Sequence, residues 1–493
     1  MNIELQVIGS GLRAIAEEMG VVLIWSAFSP NIKERRDCST ALFDEGGRMI
    51  AQAEHIPIHL GAMPTSVAAV MELEPARDAL YILNDPFTGG SHLPDVTLVS
   101  GTPVGFAVSR AHHADIGGME PTSMPALSRE IYQEGLVLPP VELTDDVIRI
   151  FLANARNRDE RLGDLRAQIA AHRLAERRLT DLVERRGLDT VRAAMDELYD
   201  YSERIVREAI RALPDGRHEA RDVLEGATGD LELRAAVEVR GDAVEIDFTG
   251  TDPQYEGNLN CPISVTQSAC YFVVRCLTDP DVPASGGAFA PVAVTAPEGC
   301  IVNASPPAAV VAGNVETSGR IVDLVFAAFG GILDVPGQGQ GTINNMAFGN
   351  GRFTYYETVG GGQGACPGAD GPSAIHVTIS NTLNTPIEAL ELAYPLRVER
   401  YALRLGSGGA GANRGGDGIV RSVRALEDCR CSLLTERRAH APRGARGGDP
   451  GLAGRNLLNG AELPAKVTLQ LSAGDVVTVE TPGGGGHGRA ADE

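Results

Sequence analysis

The sequence is short of lysine, of paired cysteines and of long apolar runs, and each shortage excludes a class of function. Only Lys33 and Lys466 are lysines among 43 basic residues, and neither follows a glycine-rich loop. The phosphate-loop motif of nucleotide-binding enzymes is therefore absent. The eight cysteines include no C-x-x-C pair, which argues against a zinc ribbon or a thioredoxin-type site. We expect no ATP site in this chain, and we interpret the cysteines as buried, reduced thiols.

Basic charge is also scarce. The 493 residues contain 43 Lys and Arg against 65 Asp and Glu, which gives a formal net charge of −22. Proteins that bind nucleic acid or anionic membranes need a basic face, so we expect neither partner. The longest apolar run, 21–25, is far too short to span a bilayer, and the first residues lack the pattern of a signal peptide. We therefore expect a cytoplasmic protein.

Hydrophobic periodicity predicts a mixed α/β (α+β) fold with several layers. Residues 3–20 have the spacing of an amphipathic helix, and 144–213 have that of two long helices joined at Gly187. Short strand-like segments precede this central helical hairpin, and strand-like, glycine-rich sequence follows it. We predict four parts: an N-terminal α/β part over 1–143 that carries the candidate metal-site loops, a helical hairpin over 144–215, a mixed β/α glycine-rich domain over 216–395, and a β-rich C-terminal domain over 396–493.

Local turn signals give finer expectations. Alternating apolar residues flank Gly-Asp turns at 241–242 and 474–475, which predicts β-hairpins over 237–246 and 467–479. Glycine is dense at 360–364, 408–418 and 483–486. Each burst is short and lies between apolar segments, so we expect packed turns and not a flexible linker.

Possible metal ligands cluster at the ends of predicted strands. The cluster comprises Asp85, His92, Asp95, His112, His113 and Asp115. Imidazole and carboxylate groups together suit Zn²⁺ or Mn²⁺, and two histidines with one or two carboxylates and an open position would make a catalytic site. Any one of these side chains, taken alone, is better explained by hydrogen bonds to loop backbone. Neighbours on an extended segment point to opposite faces, so we expect at most one ligand from the adjacent histidines.

Several motifs resemble the hydantoinase B family. They include SPNIKERRD at 29–37, QAEHIP at 52–57, NDPFTGGSHLPD at 84–95, RAHHAD at 110–115 and ETVGGGQG at 357–364. The family comprises beta subunits of ATP-dependent N-methylhydantoinases, the matching half of 5-oxoprolinases and caprolactamases, and equivalent subunits of acetone and acetophenone carboxylases. The resemblance spans essentially the whole chain. It departs at Cys38, where the family usually has an aromatic residue.

The resemblance implies a division of labour between two subunits. A hydantoinase A-like subunit, which holds ATP and Mg, phosphorylates a lactam or enol oxygen. The present chain holds a divalent metal, Zn or Mn, where the activated species is hydrolysed or carboxylated. The resemblance places the metal ligands, and with them the catalytic function, at His92, Asp95 and one of the two adjacent histidines, for which we choose His113. His112, Asp115 and Asp85 are the further candidates.

Three functions stay open at this point. The first is an ATP-dependent hydrolase of the hydantoinase or oxoprolinase type, which acts on cyclic amide C–N bonds and is active only with its partner. The second is a subunit of an acetone- or acetophenone-type carboxylase, and the third is a structural subunit. We expect a small cyclic amide as substrate, and a hetero-oligomer such as a dimer of heterodimers.

Overall fold

Long helices and several β-sheets make up the protein. The computed structural model describes residues 3–53, 56–278 and 282–490. Its mixed α/β architecture confirms the predicted fold class. Glu54 and His55, which belong to one of the motifs behind the resemblance, lie outside the described residues.

The described residues form nine α-helices, and five of them pack around the N-terminal sheet. Their bounds are α1 (Ile3–Ser26), α2 (Pro30–Lys33), α3 (Ala62–Met71), α4 (Asp145–Asn154), α5 (Arg158–Arg186), α6 (Leu188–Arg211), α7 (Ile263–Cys276), α8 (Ser318–Phe329) and α9 (Ile387–Ala393). Helix α1 runs beyond the predicted end at residue 20, because Leu23 continues its buried stripe.

Six antiparallel strands form the N-terminal sheet. They are β1 (Cys38–Asp44), β2 (Met49–Ala53), β3 (Leu80–Leu83), β4 (Asp95–Thr102), β5 (Gly105–His112) and β6 (Val141–Glu142). The spatial order is β2-β1-β5-β4-β3-β6. Asp95 at the start of β4 is paired directly with His112 at the end of β5. This register places a carboxylate and an imidazole at the same end of the sheet.

Helices cover both faces of this sheet. Because successive strand residues point to opposite faces, Leu42 packs in one hydrophobic cluster with α1, α5 and α6. Ala41 and Phe43 pack in another cluster, which includes side chains of α3 and α7. The sheet is therefore covered on both sides, and Asp95 and His112 at its strand ends are buried.

The predicted central hairpin is confirmed as α5 and α6. The two helices meet at Gly187, whose φ of 85° lies in the region that favours glycine. The Gly187 N–H donates to the carbonyl oxygen of Val183 at 2.8 Å. This bond ends α5, and α6 begins with the next residue.

Three further sheets lie in the described C-terminal half. Their strands are β7 (Gly216–Gly226), β8 (Gly229–Arg240), β9 (Ala243–Asp247), β10 (Val292–Thr295), β11 (Asn345–Gly349), β12 (Thr354–Glu357), β13 (Leu396–Arg404), β14 (Gly418–Ala425), β15 (Cys429–Leu434), β16 (Arg455–Leu458), β17 (Ala461–Leu463), β18 (Lys466–Leu471) and β19 (Val476–Glu480). The spatial orders are β10-β9-β8-β7, β12-β11-β15-β18 and β13-β14-β19-β16-β17.

One of the two predicted hairpins is confirmed and the other is wrong. Strands β8 and β9 pair across the turn at 241–242, as expected. The strands on either side of 474–475, β18 and β19, belong to different sheets. Strand β18 pairs with β15, whereas β19 pairs with β14 and β16. Alternation identified both strands, but their partners are distant in sequence, so local pattern could not reveal them.

Glycine-rich segments form packed turns, as predicted. A Cβ atom on Gly483 would lie 1.9 Å from the carbonyl oxygen of Ser407, and one on Gly484 would lie 2.0 Å from that of Gln363. Only glycine allows backbones to approach this closely. The turns therefore join segments of the C-terminal half that are far apart in sequence.

Hydrophobic clusters run across the predicted domain boundaries. The largest contains Ala41, Val265, Val322, Ala347 and Leu434. The division at 143, 215 and 395 remains a prediction. Among the helices in the part of the chain that the structure describes, none has both the length and the apolar composition needed to cross a bilayer.

Candidate metal centre

The ends of β4 and β5 bring His92, Asp95 and His112 together. His92 lies in the loop before β4, Asp95 begins β4, and His112 ends β5. One possible ligand atom from each residue lies within 4.8 Å of the other two, and all three side chains are buried. We call this group the metal triad.

The loop that carries His92 is held by buried hydrogen bonds. Asn84 Nδ2 donates to the carbonyl oxygens of Leu93 (2.8 Å) and Leu136 (3.0 Å), and Asn84 Oδ1 accepts from the N–H of Leu138. A Cβ atom on Gly90 would lie 2.4 Å from the Asn84 carbonyl oxygen. Glycine and a buried amide therefore fix the position of His92 without help from a ligand.

The imidazoles of the triad face the carboxylate but are not satisfied by it. His92 Nε2 lies 3.1 Å and His112 Nδ1 lies 3.3 Å from Asp95 Oδ1. Both ring nitrogens of His92, and Nε2 of His112, have no hydrogen-bond partner among the described residues. A buried polar atom without a partner costs about 1–3 kcal/mol. Two imidazoles and one carboxylate that converge in this way are a donor set for Zn²⁺ or Mn²⁺, so the residues fit a divalent metal.

A second layer of hydrogen bonds orients Asp95. Its Oδ2 accepts from the Ser91 hydroxyl at 2.5 Å and lies 3.5 Å from His59 Nε2. His59 Nδ1 in turn lies 2.8 Å from the Ser39 hydroxyl. Partners of this kind fix the orientation of a ligating carboxylate. Sequence analysis missed His59 because it is far from the ligand cluster along the chain.

The surroundings of the triad lower the pKa of Asp95 and shift the pKa values of the two histidines in opposite directions. Burial raises the pKa of Asp95, but the adjacent charge of His92 and hydrogen bonds from His112 and His59 outweigh it and hold that pKa well below its ordinary value. Burial lowers the pKa of His92, and attraction to Asp95 more than reverses this, so the pKa is raised. Burial lowers the pKa of His112. His112 is therefore the more readily deprotonated of the two imidazoles.

The other predicted ligands lie outside the triad. His113 points away from His112, and its Nε2 lies 2.9 Å from Gln168 Oε1. Its ring packs edge-on against Phe151, and burial lowers its pKa to about 4. Adjacent residues of an extended chain point to opposite faces, so only one of the pair reaches the triad. The structure places His112 there, and we replace His113 by His112 in the ligand set.

The two remaining acidic candidates stabilise loops. Asp115 Oδ1 accepts from the backbone N–H groups of Gly117 and Arg156, and its Oδ2 accepts from Thr122 N and from the Arg156 guanidinium. Asp85 Oδ1 accepts from the backbone N–H of Phe87. Both carboxylates satisfy loop backbone groups, which is the alternative that sequence analysis had left open.

A cavity of about 30 Å³ adjoins the triad. Its polar lining comes from both halves of the chain: Asp37, His59, His92, Asp95, His112, Asn314, Tyr356, Thr358, Ser380 and Thr382. The C-terminal half therefore supplies part of a site whose ligands lie in the N-terminal half. Sequence analysis placed no candidate residue at Asp37, Tyr356 or Thr358.

Tyr356 connects the triad to a buried polar chain. Its ring stacks on His112 with centroids 4.8 Å apart and an interplanar angle of 9°, and the Arg35 guanidinium lies 4.9 Å from the Tyr356 ring centroid. The Tyr356 hydroxyl donates to Asn345 Oδ1, and Asn345 Nδ2 donates to Glu316 Oε1 at 2.9 Å. Burial raises the pKa of Glu316 to about 8. The orientation of His112 is thus tied to side chains of the C-terminal half.

Comparison with known proteins shows that the chain matches one protein family over nearly its whole length. The family model described as Hydantoinase B/oxoprolinase matches residues 1–490. The chain is 36% identical to 5-oxoprolinase 1 of Arabidopsis thaliana over 99% of its own length, but it spans only 42% of that protein. It is 32% identical to a protein of Pseudomonas sp. that is named as one subunit of a D-/L-hydantoinase, and here it covers 99% of its own length and 90% of the relative.

Solved structures with the same architecture are also known. The crystal structure of an ATP-dependent caprolactamase from Pseudomonas jessenii matches with a TM-score of 0.91 and 30% identity, over 99% of this chain and 92% of the other. An acetone carboxylase matches with a TM-score of 0.86 over 99% of this chain and 75% of the other. Because identity to the carboxylase is 17%, that likeness shows the fold alone.

Proposed function

The chain belongs to the hydantoinase B/oxoprolinase family, and on this premise we propose that it is a subunit of an ATP-dependent cyclic amide hydrolase. In this proposal it hydrolyses a phosphorylated lactam or imide at a divalent metal. The observation that carries the proposal is the metal triad, in which buried imidazole nitrogens without partners converge beside one carboxylate. A three-ligand set leaves a coordination position open for chemistry.

His92, Asp95 and His112 would hold the metal, Zn²⁺ or Mn²⁺. When bound there, such an ion lowers the pKa of water and polarises an amide carbonyl group. The chain's own residues hold and enclose the reacting groups. Ser91 and His59 orient Asp95, Tyr356 fixes the plane of His112, and the small cavity excludes bulk water from the triad.

The need for a partner follows from chemistry that this chain lacks. A lactam is a resonance-stabilised amide, and phosphorylation of its oxygen would convert it into a better electrophile. The sequence contains no phosphate-loop motif, so we assign ATP and Mg to a hydantoinase A-like subunit. The name of the Pseudomonas relative, which makes it one subunit of a larger enzyme, supports this assignment, as does the plant 5-oxoprolinase, more than half of which lies beyond the match.

We further propose a lasting complex between the two subunits. A phosphorylated intermediate must reach the triad before water destroys it, which is easiest along an enclosed path. A symmetric assembly such as a dimer of heterodimers would provide this path. Co-expression of the two subunits followed by light scattering tests the complex. Separate elution, with full activity on mixing at nanomolar concentration, would contradict it.

The activity is tested with the purified complex, ATP and simple cyclic amides. We expect ATP-dependent ring opening of at least one of 5-oxoproline, hydantoin and caprolactam. No saturable heat should appear when the isolated chain is titrated with micromolar Mg-ATP. Labelled carbon from bicarbonate in the product would instead establish a carboxylase. A chain that contains no metal and is dispensable for turnover would establish a structural subunit.

A further inference from the structure

Asn314, on the wall of the metal cavity, carries one more buried polar atom without a hydrogen-bond partner among the described residues, its Oδ1. The Asn314 side chain is 5% exposed and lines the cavity beside the triad. No described residue donates a hydrogen bond to this oxygen. An unpaired buried acceptor costs about 1–3 kcal/mol. The carboxamide is therefore built to accept a hydrogen bond from something that enters the cavity.

Polar neighbours on the cavity wall differ from Asn314 because they are paired within the protein. The hydroxyl groups of Thr358 and Thr382 lie 2.7 Å apart and share a hydrogen bond. The Asp37 carboxylate faces the Arg35 guanidinium at 3.8 Å. Among these wall residues, the unsatisfied acceptor belongs to Asn314.

The backbone holds Asn314 in a defined place. It belongs to a π-helical turn, 313–317, which directly precedes α8. Turns of this kind occur frequently at functional sites. The N–H groups of Ala312 and Gly313 each donate to the carbonyl oxygen of Asn258 at 3.0 Å. A Cβ atom on Gly313 would lie 1.9 Å from the Asn260 carbonyl oxygen, so glycine is required for this close packing.

The volume of the cavity indicates which hydrogen-bond donor can bind to Asn314. The cavity volume is about 30 Å³, and one water molecule needs roughly 10–15 Å³. The space beside the triad therefore accepts one or two waters. We infer that Asn314 Oδ1 accepts a hydrogen bond from the water that attacks the activated amide carbon, and thereby orients it. The water oxygen bonds to this carbon, the ring C–N bond breaks, both protons of the water end on the ring nitrogen, and a second water hydrolyses the remaining acyl phosphate to acid and phosphate. This inference rests on the proposed function. Asn314 takes no proton in this role, because its carboxamide oxygen is an acceptor and only a weak base.

Competition between nucleophiles tests the inference. The full complex is supplied with ATP, a lactam that the wild type opens, and hydroxylamine, which displaces phosphate from an O-phosphorylated lactam and leaves a ring-intact cyclic amidoxime. In Asn314→Leu, acid formation should fall roughly 10²-fold because the water is misplaced, and the ratio of amidoxime to acid should rise. Metal content should equal that of the wild type. Asn314→Asp, which retains an acceptor oxygen, should return the ratio toward the wild-type value.

Asn456→Leu is the matched control. Asn456 is 1% exposed and distant in sequence, and its Oδ1 accepts from Arg438. Its loss should lower the unfolding temperature and leave the ratio unchanged. An unchanged ratio in Asn314→Leu would overturn the inference, and so would loss of metal, because Asn314 would then be a ligand. These outcomes leave the proposed function standing. A wild-type complex that forms neither acid nor amidoxime overturns the proposed function and this inference with it.

Discussion

Two buried polar clusters in the protein have similar burial, but they leave different kinds of atom without a hydrogen-bond partner: guanidinium Nε atoms in one and imidazole nitrogens in the other. In the C-terminal half, Arg320 lies 3.3 Å from Asp222 and 3.2 Å from Glu436, and Arg437 lies 2.6 Å from Asp323. We call these five residues the arginine–carboxylate cluster. Each of its charges has an opposite charge from the same chain. In the metal triad, two imidazoles share a single carboxylate, and three of their nitrogens have no hydrogen-bond partner among the described residues.

The difference teaches how a structural cluster can be told from a functional one. A guanidinium is a permanent cation that satisfies carboxylates by itself. A neutral imidazole offers a lone pair that needs a hydrogen-bond donor or a metal ion. Burial alone would rank the two clusters equally. The identity of the unsatisfied atoms separates them, and it marks the triad as the candidate cation site.

The largest expected effect comes from removing a triad imidazole. His92→Ala should reduce the metal content of the purified chain from about one ion per chain to nearly none, because three ligands are the minimum set here. Ring opening by the complex should be lost with it. Elemental analysis together with the coupled assay measures both quantities.

His113→Ala is the matched control for this prediction. His113 is equally buried and directly adjacent to His112, but it faces Gln168. Its removal should lower the unfolding temperature and leave the metal in place. Metal loss in His113→Ala combined with retention in His112→Ala would reverse the assignment of the third ligand.

A substitution in the arginine–carboxylate cluster should lower the stability of the protein and leave its metal content unchanged. Glu436→Gln removes a buried charge and leaves Arg320 and Lys466 under-compensated. Breaking a buried ion pair costs about 3–5 kcal/mol, so a clear fall in unfolding temperature is expected. Glu462→Gln, which breaks an exposed pair with Arg455, should cost less than about 1 kcal/mol. Metal loss in Glu436→Gln would show that the two clusters are coupled.

Sequence alone predicted the fold class, the central hairpin and the part of the site carried by local pattern. His92 and Asp95 are three residues apart in one loop, so their proximity could be read from the chain. The choice of His112 over His113 could not be read from the chain, because it depends on which face of β5 meets the cavity. Asn314 and Tyr356 reach the site only through long-range packing of the C-terminal half, and no local spacing encodes that contact.

The family resemblance is confirmed over nearly the whole chain. Its motifs include the loop before β4 and the end of β5, where the structure brings the residues of the metal triad together. It did not resolve which sheet each C-terminal strand joins, as the separation of β18 from β19 shows. Strand partners that are distant in sequence are set by the packed tertiary structure, and alternation carries no information about them.

The smallest expected effect concerns Glu316, which lies between the metal triad and the arginine–carboxylate cluster. Its Oε1 accepts from Asn345, toward the triad, and the charge of Glu436 acts on it from the other side. Burial raises the pKa of Glu316 from 4.5 to about 8. A carboxyl group with a raised pKa contributes stability that is full below the unfolded value, and this stability is lost as pH rises through the folded value.

We therefore expect the unfolding temperature of the wild type to fall relative to Glu316→Gln between pH 5 and pH 8.5. The slope corresponds to at most about 1.4 kcal/mol for each pH unit, because one proton is involved. Glutamine has nearly the same size and shape as glutamate, but its side chain does not titrate. Both proteins are compared after treatment with a chelator, so that the pH dependence of metal binding does not contribute. A temperature difference that stays constant over this range would show that Glu316 is ionised throughout, and that its charge is stabilised by the arginine–carboxylate cluster.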